Sequence, residues 1–268
     1  METKGENIKG LSSQNDPADP EDVSLTKEEI RGKISQLFKQ YRDCEEGGPG
    51  TRYRSWEWCH QVFLDKKKEY ARATGNRKKE IIDYLSLHLA FYLASWGMYR
   101  GSSYLLQRDY KCHKKTVKTI LQRRYDKLWD YQPNKRNLAA VTKLLFGDKK
   151  GIYFLIKESY PGYDGENDSP TETLITKILL GTFGCIPAFD RFLKSGIKAF
   201  KEKHQGCDLT QSIENKGKNK GKTFRALVDF AIKYEDALKV ESAINYPPMK
   251  CVDMYFWEVG YELDSEKE

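Results

Sequence analysis

Apolar residues at helical spacing, with almost no alternating runs, constrain this chain more than any other feature. Leu25, Ile30, Ile34, Leu37 and Phe38 follow one another at the intervals of a single buried helix face. Thr26 and Glu29 stand where a capping box opens such a helix, each able to reach the other's backbone amide. Glu45-Glu46-Gly47-Gly48-Pro49-Gly50 then interrupts the chain. Further helices are expected over Trp56–Ala73 and from about Arg77 into Leu85–Trp96. Others are expected at 113–129, 135–146, 171–183, 188–203, 222–240 and 248–259. The stretch Leu85–Trp96 is apolar around most of its circumference and reads as a central, buried helix. Ile152–Ile156 is the one short β-like run, and a helical turn suits it equally. The pattern predicts an all-α fold, a single globular multi-helix domain over 24–264. Residues 1–23, polar and nearly without apolar side chains, read as a disordered tail.

Composition narrows the class. The apolar stretches fall short of the ~20 continuous residues that cross a bilayer, and Met1–Asp22 has no apolar core of a secretory signal. A soluble, cytoplasmic monomer is expected. The six cysteines are irregularly spaced with no CxxC pair, so reduced core residues are expected, and neither a metal nor a cofactor. The net charge of +7 is concentrated in runs: Lys66–Lys68, Arg77–Lys79, Lys114-Lys115 with Lys118, Arg123-Arg124, Lys149-Lys150 and the glycine-interleaved 216–222 loop. Lys216, Lys218 and Lys220 in that loop suit phosphates of a polyanion, where bound cations release condensed counterions. Tyr53, Trp56 and Trp58, interleaved with Arg52 and Arg54, suit stacking on unpaired bases. Ser95–Ser103 ends an apolar helix with Gly97 and Gly101. It offers Trp96, Tyr99 and Arg100 to line a nucleotide pocket. Residues 246–257 are apolar after two prolines and are expected to dock on the core.

The sharpest signal is Ser169 to Lys194. Ser169 and Glu172 form a second capping box around Pro170, and an apolar helix runs to Gly184. Cys185-Ile186-Pro187 turns, and a new helix begins near Ala188 with Asp190 in its first turn. This layout resembles the helix-hairpin-helix DNA glycosylase superfamily, over about 25 residues. The resemblance implies that Asp190 faces a flipped-out nucleotide and stabilises the cationic sugar as the base departs. Asn167-Asp168-Ser169-Pro170 replaces the superfamily's glycine-bracketed turn, and the free amides of the helix start at Thr171 and Thr173, with Lys177 one turn on, are expected to meet the DNA backbone instead. Glu172 or Thr173 occupies the place of the lysine that forms a Schiff base in lyase-type members, which implies monofunctional excision of a damaged or modified base. The iron–sulfur cysteines of the superfamily are absent. Enzymes of this look also occur in bacterial anti-phage defence, with hypermodified phage DNA as substrate. A rival pattern, Arg108 and His113 with four residues between, resembles the paired Arg and His of HEPN-type ribonucleases. A third reading is a non-enzymatic nucleic-acid-binding protein.

Overall fold

A computed structural model describes residues 25–42, 52–101, 103–147, 150–160, 169–204, 207–215, 217–240 and 244–266. The expected tail 1–23, the break at 45–50, Lys149 and Lys216 lie outside these residues, as does the side chain of Lys218. Among the described residues there are ten α-helices and no strand. They are α1 (Lys27–Arg42), α2 (Ser55–Arg72), α3 (Gly75–Ser95), α4 (Lys114–Ile120), α5 (Leu138–Phe146), α6 (Ile152–Ser159), α7 (Glu172–Phe183), α8 (Arg191–Lys203), α9 (Lys222–Lys233) and α10 (Pro248–Ser265). One buried cluster runs through all of them, from Ile30 on α1 to Trp257 on α10. No described helix is long and apolar enough to cross a membrane.

The first capping box forms as expected. Glu29 N donates to Thr26 Oγ1 at 3.1 Å and Thr26 N to Glu29 Oε2 at 2.8 Å. The β-like run at 152–156 is helical. The expected 113–129 helix stops at Ile120, and a 3-10 turn covers Arg123–Leu128, because Gln122 between them is extended. The expected 222–240 helix ends at Lys233.

Burial reverses one expectation. α3 is not enclosed: Tyr84, Leu87 and Phe91 are 44%, 54% and 64% exposed on one stripe. The enclosed helix is α7, in which every residue from Leu174 to Phe183 is buried. Its buried threonines are satisfied within the helix. Thr176 and Thr182 donate to the Glu172 and Ile178 carbonyls, each at 2.8 Å. Gly181 admits the Tyr92 ring of α3 against the helix backbone.

α8 and α10 cross at backbone distance. A Cβ on Gly196 would fall on the Phe256 carbonyl, and one on Gly260 on the Phe192 carbonyl. Both obstacles are backbone atoms that cannot swing aside. Gly260→Ala is therefore expected to lower stability by at least the ~1–3 kcal/mol of an overpacked core. Gly32→Ala on α1, with nothing within 4 Å, is expected to raise it by up to about 1 kcal/mol. Thermal denaturation of the two variants checks the contrast.

α1 docks on α10 through Ile30, Ile34 and Leu37 and through the Lys33–Glu262 ion pair. Beneath it lies Glu258, 1% exposed, whose Oε2 has no hydrogen-bond partner among the described residues. Burial, reinforced by the neighbouring Glu262 carboxylate, pushes its carboxyl up to about 7 from an ordinary 4.5. The folded chain thus holds this proton more tightly than the unfolded chain. The resulting stability is complete below about pH 4.5 and is lost as pH rises through 7. Glu258→Gln is expected to melt above wild type at pH 8 and near it at pH 4.5.

Candidate functional site

Two buried ion pairs share one pocket where α7, α8 and α10 meet. The first arises because Lys177 lies on the enclosed helix α7 and its ammonium needs a partner away from water. Asp190 supplies it, with Oδ2 at 2.9 Å from Lys177 Nζ; the side chains are 14% and 5% exposed respectively. Its other oxygen, Oδ1, accepts from Leu193 N at 3.1 Å and so caps α8. The second pair joins Lys250 Nζ to Asp253 Oδ2 at 2.9 Å, and Asp253 Oδ1 accepts from Ala188 N at 2.8 Å. Asp253 thereby anchors the turn that delivers Asp190.

Aromatic rings close the site. Lys177 Nζ lies 4.7 Å from the Trp96 ring centre, and Trp257 meets Trp96 edge-on at 6.3 Å. Lys250 Nζ also lies 5.5 Å from the ring of Trp56, which is outside the pocket's lining. The cavity enclosed by Tyr92, Trp96, Lys177, Asp190, Asp253 and Trp257 measures about 10 Å³. That is about the space one water molecule needs.

The local sequence builds this arrangement in steps. Thr171 caps α7, with Oγ1 accepting from Leu174 N at 3.2 Å. The expected cap at Ser169 is displaced by two residues. Glu172 does not reach back to a cap; it takes Ser212 Oγ and Ile213 N at 2.7 Å and Lys194 Nζ at 2.9 Å. Gly184, at φ +67°, ends the helix with its amide on the Leu179 and Leu180 carbonyls. The chain then turns through 185–189, and α8 begins at Arg191 rather than near Ala188, which makes Asp190 the cap itself.

The other expected site residues divide. Trp96 reaches the pocket. Trp56 does not: it is 1% exposed, stacked on His60 at 4.9 Å, and its Nε1 donates to the Leu180 carbonyl at 2.9 Å. It is a core residue, because that carbonyl claims its only polar atom. Tyr99 turns away to His113, and Arg100 is exposed beyond Gly97. Thr173 donates to the Phe189 carbonyl at 2.8 Å, bracing the turn. Lys177, expected on a DNA backbone, is instead the buried partner of Asp190. Lys220 lies over the Phe154 ring at 4.8 Å, on a different face. Sequence reasoning missed Lys250 and Asp253. Their signal was two charges three residues apart inside the apolar run of 249–257.

The Arg108–His113 pattern forms no open centre. His113 is fully buried, with Tyr160 and Tyr99 hydroxyls each at 2.7 Å from its ring nitrogens. The Arg108 guanidinium lies 4.2 Å over Tyr104. Desolvation pulls the imidazole down to about 4 from 6.5. The unfolded chain binds this proton more readily, so the stability is complete above about pH 6.5 and is lost as pH falls towards 4. Denaturant melts are expected to weaken by up to ~1.4 kcal/mol per pH unit across that window, and less in His113→Gln.

Among the described residues no cluster of His, Cys, Asp and Glu is arranged to hold a metal ion. Comparison of the whole chain with family models, curated proteins and solved structures returns no match.

Proposed function

We propose that the protein is a nucleic-acid-binding hydrolase of N-glycosidic bonds, a DNA glycosylase-like enzyme acting on a damaged or modified base, with Asp190 as its catalytic carboxylate. One observation carries the reading: Asp190 starts α8 at the end of a turn from an apolar helix, its carboxylate held by Lys177 in a pocket walled by Trp96. An N-glycosidic bond breaks through a cationic, oxocarbenium-like sugar. A carboxylate held rigid in a desolvated pocket stabilises such a cation more than the neutral ground state, which is what accelerates the step. The cavity beside Asp190 suits the single water that completes hydrolysis, and Lys177 donates to Asp190 Oδ2 and fixes the carboxylate's direction.

A nucleobase needs far more than about 10 Å³, since ligand pockets typically run ~300–1,000 Å³. The reading therefore requires the pocket to open. The segment after α3 suits that motion: Gly97 and Gly101 both adopt positive φ, at +74° and +59°, on either side of Tyr99 and next to Trp96. Movement of this turn would lift the Trp96 ring from Lys177.

The closed pocket also favours a second reading, in which the protein binds nucleic acid without acting on it. One assay separates them. DNAs carrying diverse modified bases are incubated with protein and scored for abasic sites. The enzyme reading expects abasic sites with wild type and a loss of at least 100-fold in Asp190→Asn, in which asparagine still caps α8. Wild-type protein that binds but yields none supports binding alone.

A further inference from the structure

One face of α3 is apolar, open to solvent and regular. Its exposed positions after Glu80 are Tyr84, Leu87, Phe91 and Ala94, spaced three, four and three residues apart. No charged residue lies between Tyr84 and Ser95. This spacing is the repeat of a seam along which two helices pack, each side chain seating among four on the facing helix. Two contacts set the register of α2 beside it. Ser95 Oγ lies 2.6 Å from Ser55 Oγ, and Lys66 Nζ lies 5.4 Å from the Tyr84 ring. Trp58, one turn on from Ser55 and 55% exposed, therefore stands at the Phe91 end of the same ridge. Tyr84 is held from two sides, by Lys66 and by the His88 ring at 4.4 Å. Little of its side-chain freedom remains to be lost on binding.

We propose that this stripe is the interface of a homodimer, in which α3 packs antiparallel on α3 of a second copy about a two-fold axis. Spacing of three, four and three reads the same in both directions. Reversing one copy therefore brings Tyr84 opposite Ala94 of the other, and Leu87 opposite Phe91 of the other. The largest side chain of the stripe meets the smallest, and the two of intermediate size meet each other, which is how facing layers fill without voids. A parallel pair would set Tyr84 on its own copy and Ala94 on its own copy, a clash at one end and a void at the other. The area fits as well. The exposed parts of Trp58, Tyr84, Leu87 and Phe91 come to roughly 400 Å² of apolar surface, given the ~150–250 Å² that an aromatic side chain carries. With the apolar share of ~56–58% usual at interfaces, this belongs to a footprint of roughly 700 Å² per copy, close to the ~800 Å² of a stable complex. A polyanion is a poor occupant, because the stripe has no cation and the neighbouring Lys66 pairs with Glu69 at 2.7 Å. The dimer takes the place of the monomer expected from composition, which does not record where apolar side chains surface. None of these residues lines the Asp190 pocket, so the proposal stands or falls apart from the preceding reading.

The test is sedimentation equilibrium of the full chain over a concentration series reaching about 100 μM. Wild type is expected to approach twice the 31.2 kDa of one chain. Leu87→Glu with Phe91→Glu is expected to weaken association at least ~100-fold, since each new charge would be buried against an apolar side chain. Lys198→Glu, exposed on α8, makes the same change in net charge and is expected to stay within about 2-fold of wild type. Ala94 reports the register. Ala94→Tyr sets two large rings in one layer and is expected to weaken association at least ~10-fold. Adding Tyr84→Ala restores one large side chain against one small and is expected to return it to within about 3-fold of wild type. Circular dichroism melts confirm folding, and Leu87→Ser with Phe91→Ser replaces the double glutamate variant if that variant unfolds. The proposal is overturned if wild type stays monomeric throughout, if the Leu87 and Phe91 changes leave association intact, if Lys198→Glu weakens it as much, or if Tyr84→Ala fails to rescue Ala94→Tyr.

Discussion

The buried contact between Lys177 and Asp190 is the interaction on which the rest of this structure turns. Desolvating two charges costs several kcal/mol per ion, so such a pair persists only where geometry and further hydrogen bonds compensate. Here the compensation is built into the fold. Asp190 caps α8 with one oxygen and meets Lys177 with the other. Asp253, held by Lys250, takes the Ala188 amide and fixes the turn before it. The glycine-mediated crossing of α8 and α10 keeps these two acidic residues in one pocket. Helix start, turn and helix crossing thus all converge on a few polar atoms.

The elements were more legible in the sequence than their burial. Thr26 with Glu29 and Gly184 at the close of α7 mark ends by local chemistry, and the structure follows them. The enclosed helix was harder to identify. α3 carries the longer apolar run yet leaves Phe91 exposed, while α7 is enclosed from Leu174 to Phe183 despite Thr176, Lys177 and Thr182. Hydropathy counts side chains, whereas burial depends on whether a polar group can be satisfied. Threonine bonds its own helix, and Lys177 finds Asp190 across the turn. Glu172 shows the same limit, since its partners lie forty residues on in the 212–214 segment. Asp190 stood out in the sequence because a turn and a helix start announce it. Lys250 and Asp253 did not, because their pocket exists only once α10 is docked.

Charge followed a similar course. Some cations of the runs that look like a polyanion footprint in sequence meet carboxylates from elsewhere in the chain, as Lys67 meets Asp126 and Lys114 meets Asp83. Lys135, Lys143, Lys150, Lys220 and Arg225 line a groove where α5, the segment before it and the start of α9 come together. A linear pattern reports where lysines are; the fold reports which of them meet a carboxylate.

The central claim is that the Lys177–Asp190 pair is retained for what it does in the pocket, not for the stability it confers. The most direct measurement is a double-mutant cycle on unfolding free energy with Lys177→Met, Asp190→Asn and the two combined. If the pair is retained for function, each single change destabilises by several kcal/mol by stranding a buried polar partner, and the double variant returns to within about 1 kcal/mol of wild type or exceeds it. A double variant that stays several kcal/mol below wild type, no more stable than the milder single change, would contradict the claim and make the pair a structural pin of α7 against α8.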